Sequence, residues 1–461
     1  LTIAEEMDFL MGTSRDKTYQ ETIDYLFGLQ KHGIKFGLTN SFSLMDVLGR
    51  PHKKFRSVHI AGTNGKGSTA AFLSSILQAA GFRVGLYTSP HLVHFTERIR
   101  INNVQIAEER VVDLAQKVRQ AGRLIEPDAG EDRFSPTFFE VTTAMAFAYF
   151  AEEDVDIAVI EAGMGGRLDS TNVITPLVSI ITNIDLEHTE FLGNTLEQIA
   201  GEKAGIIKEG VPVVTGATQP GVIEVLERES AAKRTLLYRI SKDFRPERII
   251  IGPPQVFDYQ GISGVFPSLR IQMLGRHQID NAALALAAAE CLRNAGIAID
   301  EPALRRGLGQ TFWEGRMERV SERPDIYLDG AHNPASARVL ARSVAAMKPA
   351  YRKLVLIIGI LADKDYRKII AELVPLADHV VVTRPQYSRA MDLPTLASEI
   401  KARHGSVEIA DSVEEAIRAA GKAASDDDLI LITGSLYIVG DARAALVRDA
   451  HRPQALNGLK G

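Results

Sequence analysis

Short apolar runs punctuate the first half of the chain at 57–61 (SVHIA), 83–87 (RVGLY), 156–161 (DIAVIE), 177–183 (LVSIITN) and 211–215 (VPVVT). Between them, stretches near 67–80, 107–121, 137–151 and 195–207 carry apolar residues at helical spacing. Brief runs with little polar alternation predict strands buried on both faces. Strands alternating with helices predict a parallel sheet with covered faces, an α/β fold. Residues 236–273 depart from this pattern, with short alternating segments broken by Gly and Pro, and predict a small antiparallel accessory sheet. An Ala-rich helix follows at about 279–295. The alternation restarts with runs at 325–329 (DIYLD), 354–359 (LVLIIG), 379–383 (HVVVT) and 429–433 (LILIT), and with helices near 334–348, 394–403, 412–423 and 436–448. This is a second, smaller doubly wound unit. The stretch 312–320 (FWEGRMERV) reads as a junction, which sets domains at 1–312 and 321–461 with a linker at 313–320. Two α/β units invite a ligand-binding cleft between them.

Composition narrows the classes. The 461 residues are 45% apolar and 24% charged, ordinary for a soluble globular protein. No run approaches the ~18 apolar residues of a membrane helix. The opening LTIAEEMDFL is acidic and lacks the basic and apolar regions of a secretory signal; it also lacks an initiator Met. The only cysteine, Cys291, leaves no partner for an intrachain disulfide, which fits a reducing, cytoplasmic setting. A net charge of -5 without a basic stripe argues against nucleic acid as a partner. The acidic run Asp426–Asp428 reads as a solvated loop.

The strongest local signal is Gly62-Thr63-Asn64-Gly65-Lys66-Gly67-Ser68-Thr69, between a predicted strand and a predicted helix. Glycines admit phosphate oxygens to backbone N–H groups, the helix N-terminus adds partial positive charge, and Lys66 reaches the outer phosphates. The spacing differs from the common G-x-x-x-x-G-K-[ST] loop, since a Gly separates Lys66 from Ser68. Other segments have both bland and chemical readings. Thr88-Ser89-Pro90-His91-Leu92, with Glu97-Arg98-Ile99 after it, is a strand-end turn or part of a site. Ser135-Pro136-Thr137-Phe138-Phe139-Glu140 has good helix N-terminal chemistry, and its Phe pair is core or an aromatic ligand surface. Glu161, ending a strand before a Gly-rich stretch that runs to Asn172, is well placed for Mg²⁺. His188, in Asn183-Ile184-Asp185-Leu186-Glu187-His188-Thr189, is by itself a loop histidine, and Lys203 by itself a helix C-terminal lysine.

Taken in order, these motifs resemble the folylpolyglutamate synthase and dihydrofolate synthase branch of the Mur ligase superfamily over about residues 20–445. The resemblance implies a P-loop Mur-ligase-like ATPase domain and a C-terminal Rossmann-like domain that together add L-glutamate to a folate or dihydropteroate. It implies ATP contacts from Asn64, Gly65, Lys66, Gly67, Ser68, Asn281, Arg316 and Asp329, the last at the ribose. Mg²⁺, at two positions, is implied at Ser89, Glu161 and His188; the histidine must be neutral to ligate, so metal affinity would weaken at acid pH. Thr137, Phe138, Phe139 and Glu140 would line the pterin site, and Leu168, Asp169 and Ser170 would approach the folate. Lys203 would be carbamylated, Arg316 would touch phosphate, and His332 would lie near the reacting groups. The loop Gly359–Asp365 and Ser435 would face the incoming glutamate, or serve as structural loops. A monomer is expected, because the cleft supplies the whole site. The competing readings are a cell-wall precursor ligase, a P-loop switch and a nucleic-acid-dependent ATPase.

Overall fold

The computed structural model describes residues 18–33, 37–126 and 134–447. The larger sheet has eight strands in the order β4-β3-β2-β5-β1-β6-β7-β8. These are β1 (Arg56–Ala61), β2 (Val84–Tyr87), β3 (Ile99–Ile101), β4 (Val104–Gln105), β5 (Ile157–Glu161), β6 (Val178–Ile181), β7 (Val213–Thr215) and β8 (Leu237–Arg239). The six from β2 to β8 in that order are parallel, and β3 and β4 add an antiparallel edge hairpin. Its central strands are buried along nearly their whole length, as runs rich in Val and Ile require when helices cover both faces.

The accessory sheet is antiparallel, with β10 (Gln255–Gln260) between β9 (Arg245–Ile250) and β11 (Val265–Ile271). It is smaller than the expected 236–273: Leu237–Arg239 instead extends the large sheet, parallel to β7. Three residues are too few for alternation to reveal which sheet they join. The C-terminal sheet runs β12-β13-β17-β14-β15-β16, from β12 (Glu318–Glu322), β13 (Asp325–Leu328), β14 (Leu354–Ile358), β15 (His379–Val382), β16 (Val407–Ile409) and β17 (Leu429–Thr433). Only β12 is antiparallel, so the last residues of the stretch read as a junction already belong to a strand.

The expected helices form, the C-terminal one as Leu436–Leu446; residue 448, the end of its predicted span, lies outside the described residues, as does the opening segment 1–10. Helices Tyr19–Gly28 and Thr39–Val47 were not anticipated, nor were Pro220–Ala232, Glu301–Gln310 and Tyr366–Leu373. Start signals for the last three are nevertheless in the sequence: Pro220 at the first helical position, and Asp300 and Asp365 as N-caps. Among the described residues no helix is long and apolar enough to cross a membrane.

One packing arrangement positions the phosphate loop. The helix Lys66–Ala79, buried from Ser68 to Leu77, lies against the sheet and under the helices Arg276–Asn294 and Glu301–Gln310. Small side chains at Ala282, Ala283, Ala285 and Ala287–Ala289 suit the close approach of the first of these. Gly307 does the same for the second: a Cβ there would stand 2.4 Å from Ile76 Cα, which is backbone and cannot yield. Gly307→Ala is therefore expected to lower stability by about 1–3 kcal/mol through overpacking. A urea midpoint equal to that of the parent would refute this account of the helix pair.

Candidate active site

All the parallel strands of the large sheet end on one edge, and the motif residues lie there. Open sheets of this kind bind ligands at that edge. The loop after β1 is held by three hydrogen bonds to the segment Thr182–Asn183 that follows β6. Thr63 N donates to Asn183 O at 2.9 Å, Asn64 N to Asn183 Oδ1 at 2.8 Å, and Thr182 Oγ1 to Asn64 O at 2.7 Å. Gly65 has φ +83°, and a Cβ on it would meet Asn281 Oδ1 at 2.5 Å. The position thus needs glycine for both conformation and space, and the expected nucleotide residue Asn281 abuts the loop. On Gly67, a Cβ would come within 3.0 Å of the Trp313 indole nitrogen.

Two ammonium groups converge beneath this loop. Lys66 Nζ donates to Gly62 O at 3.1 Å and Thr63 O at 3.0 Å, and Lys203 Nζ donates to the same Gly62 O at 2.7 Å. Lys203 is buried. Burial, with the Lys66 charge beside it, pushes its pKa down to about 7. An amine so placed is available in the neutral form near neutral pH.

Glu161, at the end of β5, is also buried, and its Oε2 accepts from Ser89 N at 3.1 Å. Burial raises its pKa against the opposing influence of Lys66, the Ser89 N–H and Arg316. His188 is exposed and starts the short helix Thr189–Leu192. Among the described residues no three His, Cys, Asp or Glu side chains converge as a ready-made metal cage.

The second domain meets the loop and Glu187 through Asn333, for which the sequence reading proposed no role, and His332, which was expected near the reacting groups. Asn333 Nδ2 donates to Asn64 Oδ1 at 3.0 Å and to Glu187 Oε1 at 3.2 Å. His332 Nε2 lies 3.6 Å from the same Glu187 oxygen, while its Nδ1 bonds Gly330 O at 2.8 Å. Burial would raise the pKa of Glu187, but the His332 and Lys66 contacts hold it well below the usual carboxylate range. Neither Glu187 nor Asn333 was given a role: Glu187 sits inside a motif quoted above, and Asn333 also caps the helix Pro334–Met347. Arg98 and Trp313 were likewise given no role. Arg98 is a buried cation 5.2 Å from the Phe138 ring, and Arg100 lies 5.0 Å from the Trp313 ring.

Several expected contact residues have structural work. Thr137 and Glu140 close a reciprocal cap, with Thr137 N to Glu140 Oε2 at 2.6 Å and Glu140 N to Thr137 Oγ1 at 3.2 Å. Phe138 stacks on Phe27 at 5.6 Å, and Phe139 packs on Gly163 and Tyr87, so the pair joins an aromatic cluster at the same edge. Asp169 is buried and folds the glycine loop, accepting from Met164 N at 2.9 Å, Thr171 N at 3.0 Å and the Thr171 hydroxyl. Leu168 is half-buried beside it, and Ser170 is buried. Asp329 accepts from Met317 N and Ala331 N, each at 3.0 Å, and so ties the junction to β13. Arg316 donates to Gly315 O at 3.0 Å and acts electrostatically on both Glu161 and Asp329. Ser435 is buried and caps the last helix, accepting from Ile438 N at 3.2 Å.

The burial of Lys203 has a signed consequence. The unfolded chain keeps this amine protonated up to about 10.5, the folded one only to about 7. Between those values the unfolded state binds more protons, so the stability that depends on Lys203 rises with pH. In urea titrations without dissolved CO₂, Lys203→Met is expected to gain most over the parent near pH 6, the gain shrinking toward pH 9. A gain independent of pH would mean the amine is not depressed.

Comparison with known proteins agrees with this architecture. The Mur ligase middle domain model matches residues 60–289, and the Mur ligase, glutamate ligase domain model matches residues 315–436. The dihydrofolate synthase/folylpolyglutamate synthase of Bacillus subtilis is 40% identical over 437 residues, covering 93% of this chain and 99% of the relative. A solved Mycobacterium tuberculosis folylpolyglutamate synthase complexed with ADP superposes with TM-score 0.86 at 37% identity, covering 94% of this chain and 100% of that one. An Escherichia coli structure, FolC in complex with DHPP and ADP, matches with TM-score 0.83 at 31% identity, covering 93% and 97%.

Proposed function

This chain belongs to the folylpolyglutamate synthase and dihydrofolate synthase family of Mur ligases, which are ATP-dependent, and we propose that it joins L-glutamate to the carboxylate of a folate or dihydropteroate through an acyl phosphate. The observation that carries the reading is the phosphate loop after β1, with Lys66 and Lys203 on the same carbonyl and Asn333 reaching it from the second domain. Residues 1–312 then form the nucleotide and folate domain, 313–320 the linker and 321–461 the glutamate-ligase domain.

In this reading the loop N–H groups and Lys66 hold the triphosphate. Asn281 and Asp329 hold the nucleoside end, and Arg316 stabilises the transferring phosphoryl group. The folate carboxylate attacks the γ-phosphorus and ADP leaves. The glutamate amine, having lost its ammonium proton, attacks the acyl carbon and phosphate departs. The enzyme supplies position and charge, and closure of the second domain excludes water from the acyl phosphate. His332 and Ser435 lie toward the glutamate, and Phe138, Phe139 and Leu168 toward the pterin.

The donor chemistry fits Mg²⁺. That ion keeps several waters and takes one or two carboxylates plus substrate phosphates rather than a dedicated protein cage. Glu161, the Ser89 hydroxyl and His188 are the residues to hold it, and it would neutralise the phosphate charge. A neutral Lys203 amine is the form that reacts with CO₂, so carbamylation at Lys203 fits its burial. We assign the reaction to a cytoplasmic monomer.

The test is ADP release with Mg-ATP and glutamate, comparing dihydropteroate, tetrahydrofolate and no pterin, with products read by mass. Turnover on both means a bifunctional synthase; no pterin-dependent turnover, with ATP still bound, overturns the folate assignment. Arg316→Ala is expected to lower kcat by about 10²–10³-fold. Lys203→Ala is expected to abolish turnover, with partial recovery on adding short-chain carboxylates, while the parent responds to bicarbonate. Full activity in CO₂-free buffer, with an unmodified Lys203 by mass, would remove carbamylation from the mechanism.

A further inference from the structure

A second cavity lies at the opposite edge of the large sheet, where β1 and β6 begin. Six residues of β1 separate it from the phosphate loop, roughly 20 Å at strand rise. Its volume is ≈ 360 Å³, within the range of small-molecule sites. Its basic residues are His52, Lys53 and Arg56, beside two hydroxyl residues, and its apolar walls are Phe55, Val173 and Leu177. No carboxylate lines it among the described residues.

Two observations point to an anion with an apolar body. His52 is only 8% exposed and its Nδ1 presents no accessible surface, so the charge at the cavity comes from its neighbours. Lys53 and Arg56 are exposed cations within one turn of it. The nearby Asp46 carboxylate is taken by Arg50 at 2.6 Å, and Arg56 Nε donates only to a carbonyl, that of Asp156 at 3.3 Å. Among the described residues no carboxylate pairs with Lys53 or Arg56, so the positive charge beside the cavity is uncompensated. Phe55, fixed edge-on against Phe147 at 5.8 Å and Phe150 at 5.9 Å, offers a rigid aromatic wall for the body of a ligand.

We propose that this cavity binds a small organic anion, a carboxylate or phosphate monoester carried on an aromatic or similarly flat apolar group. The site is separate from the one that performs the ligase reaction. It is nonetheless connected to it, since Val173 ends the turn Ser170–Val173 that follows Asp169, and Phe147 and Phe150 lie on the helix Phe138–Glu152. An occupant would press on the two segments that flank the aromatic cluster at the other edge.

The test is calorimetric titration of the whole protein, saturated with ADP to fill the phosphate loop, using phenyl phosphate, inorganic phosphate and benzamide as probes. Phenyl phosphate is expected to bind with one-to-one stoichiometry, inorganic phosphate more weakly, and benzamide not at all. Lys53→Glu, a change at an exposed position, is expected to weaken phenyl phosphate about tenfold or more, and Arg56→Gln to weaken it as well. ADP affinity, measured on the same samples, is expected to stay as in the parent. Absence of phenyl phosphate binding, or binding indifferent to Lys53→Glu, overturns the proposal whatever the ligase assay gives.

Discussion

Gly62 O receives two ammonium groups, and much of the molecule is arranged to make that arrangement tolerable. Placing Lys66 and Lys203 on one carbonyl brings like charges together in a buried place, which opposes ionisation of at least one of them. The helix that carries Lys203 must therefore be held firmly against the loop. The glycine turn does this: Arg167 N donates to Glu202 O at 2.8 Å, Asn172 Nδ2 bonds Gly205 O at 3.0 Å, and Asp169 closes the turn. Gly205 sits so close to Arg167 that a Cβ would reach its Cα at 2.3 Å. The strand-end carboxylate, the glycine turn and the lysine helix are one mechanical unit.

The second domain is added to this unit by few but specific contacts. Asn333 bonds the loop directly, and Leu92, from the turn after β2, packs into the core below the helix Leu436–Leu446. Gly440 lets Leu92 approach, since a Cβ there would meet Leu92 O at 2.2 Å. The segment that carries Ser89 and Arg98 is thus also the segment on which the second domain rests. The same segment contacts Glu161 through Ser89 N, so the second domain rests one short turn away from that carboxylate.

Legibility in the sequence followed the strength of local signals. Uninterrupted runs such as SVHIA and LILIT specify doubly buried strands, and these, the phosphate loop and the two-unit organisation were all readable. The β3–β4 hairpin, with its turn at Asn102 and Asn103, and the strand Val407–Ile409 are too short or too exposed to impose periodicity. At the edge where the parallel strands end, the residues singled out in the sequence were those in glycine-rich or Pro-flanked motifs. Glu187 and Asn333 were not given roles, because their significance lies in a contact between positions 146 residues apart. Thr137, Glu140 and Ser435 carry the opposite lesson: each satisfies a helix terminus by local hydrogen bonding, so a motif match there reflects backbone needs as much as ligand chemistry.

The central position of β1 has a consequence for synthesis. Val58 pairs with Val159 on one side and Val178 on the other, and the loop that β1 feeds is shaped further by Thr182, Asn281 and Asn333. A chain emerging N-terminus first exposes the apolar β1 long before either neighbouring strand exists. It completes the loop only when more than two-thirds of the polypeptide has been made. Sheets assembled from such distant partners form slowly and leave apolar edges open meanwhile. The loop after β1 is therefore among the last features of the fold to acquire its shape.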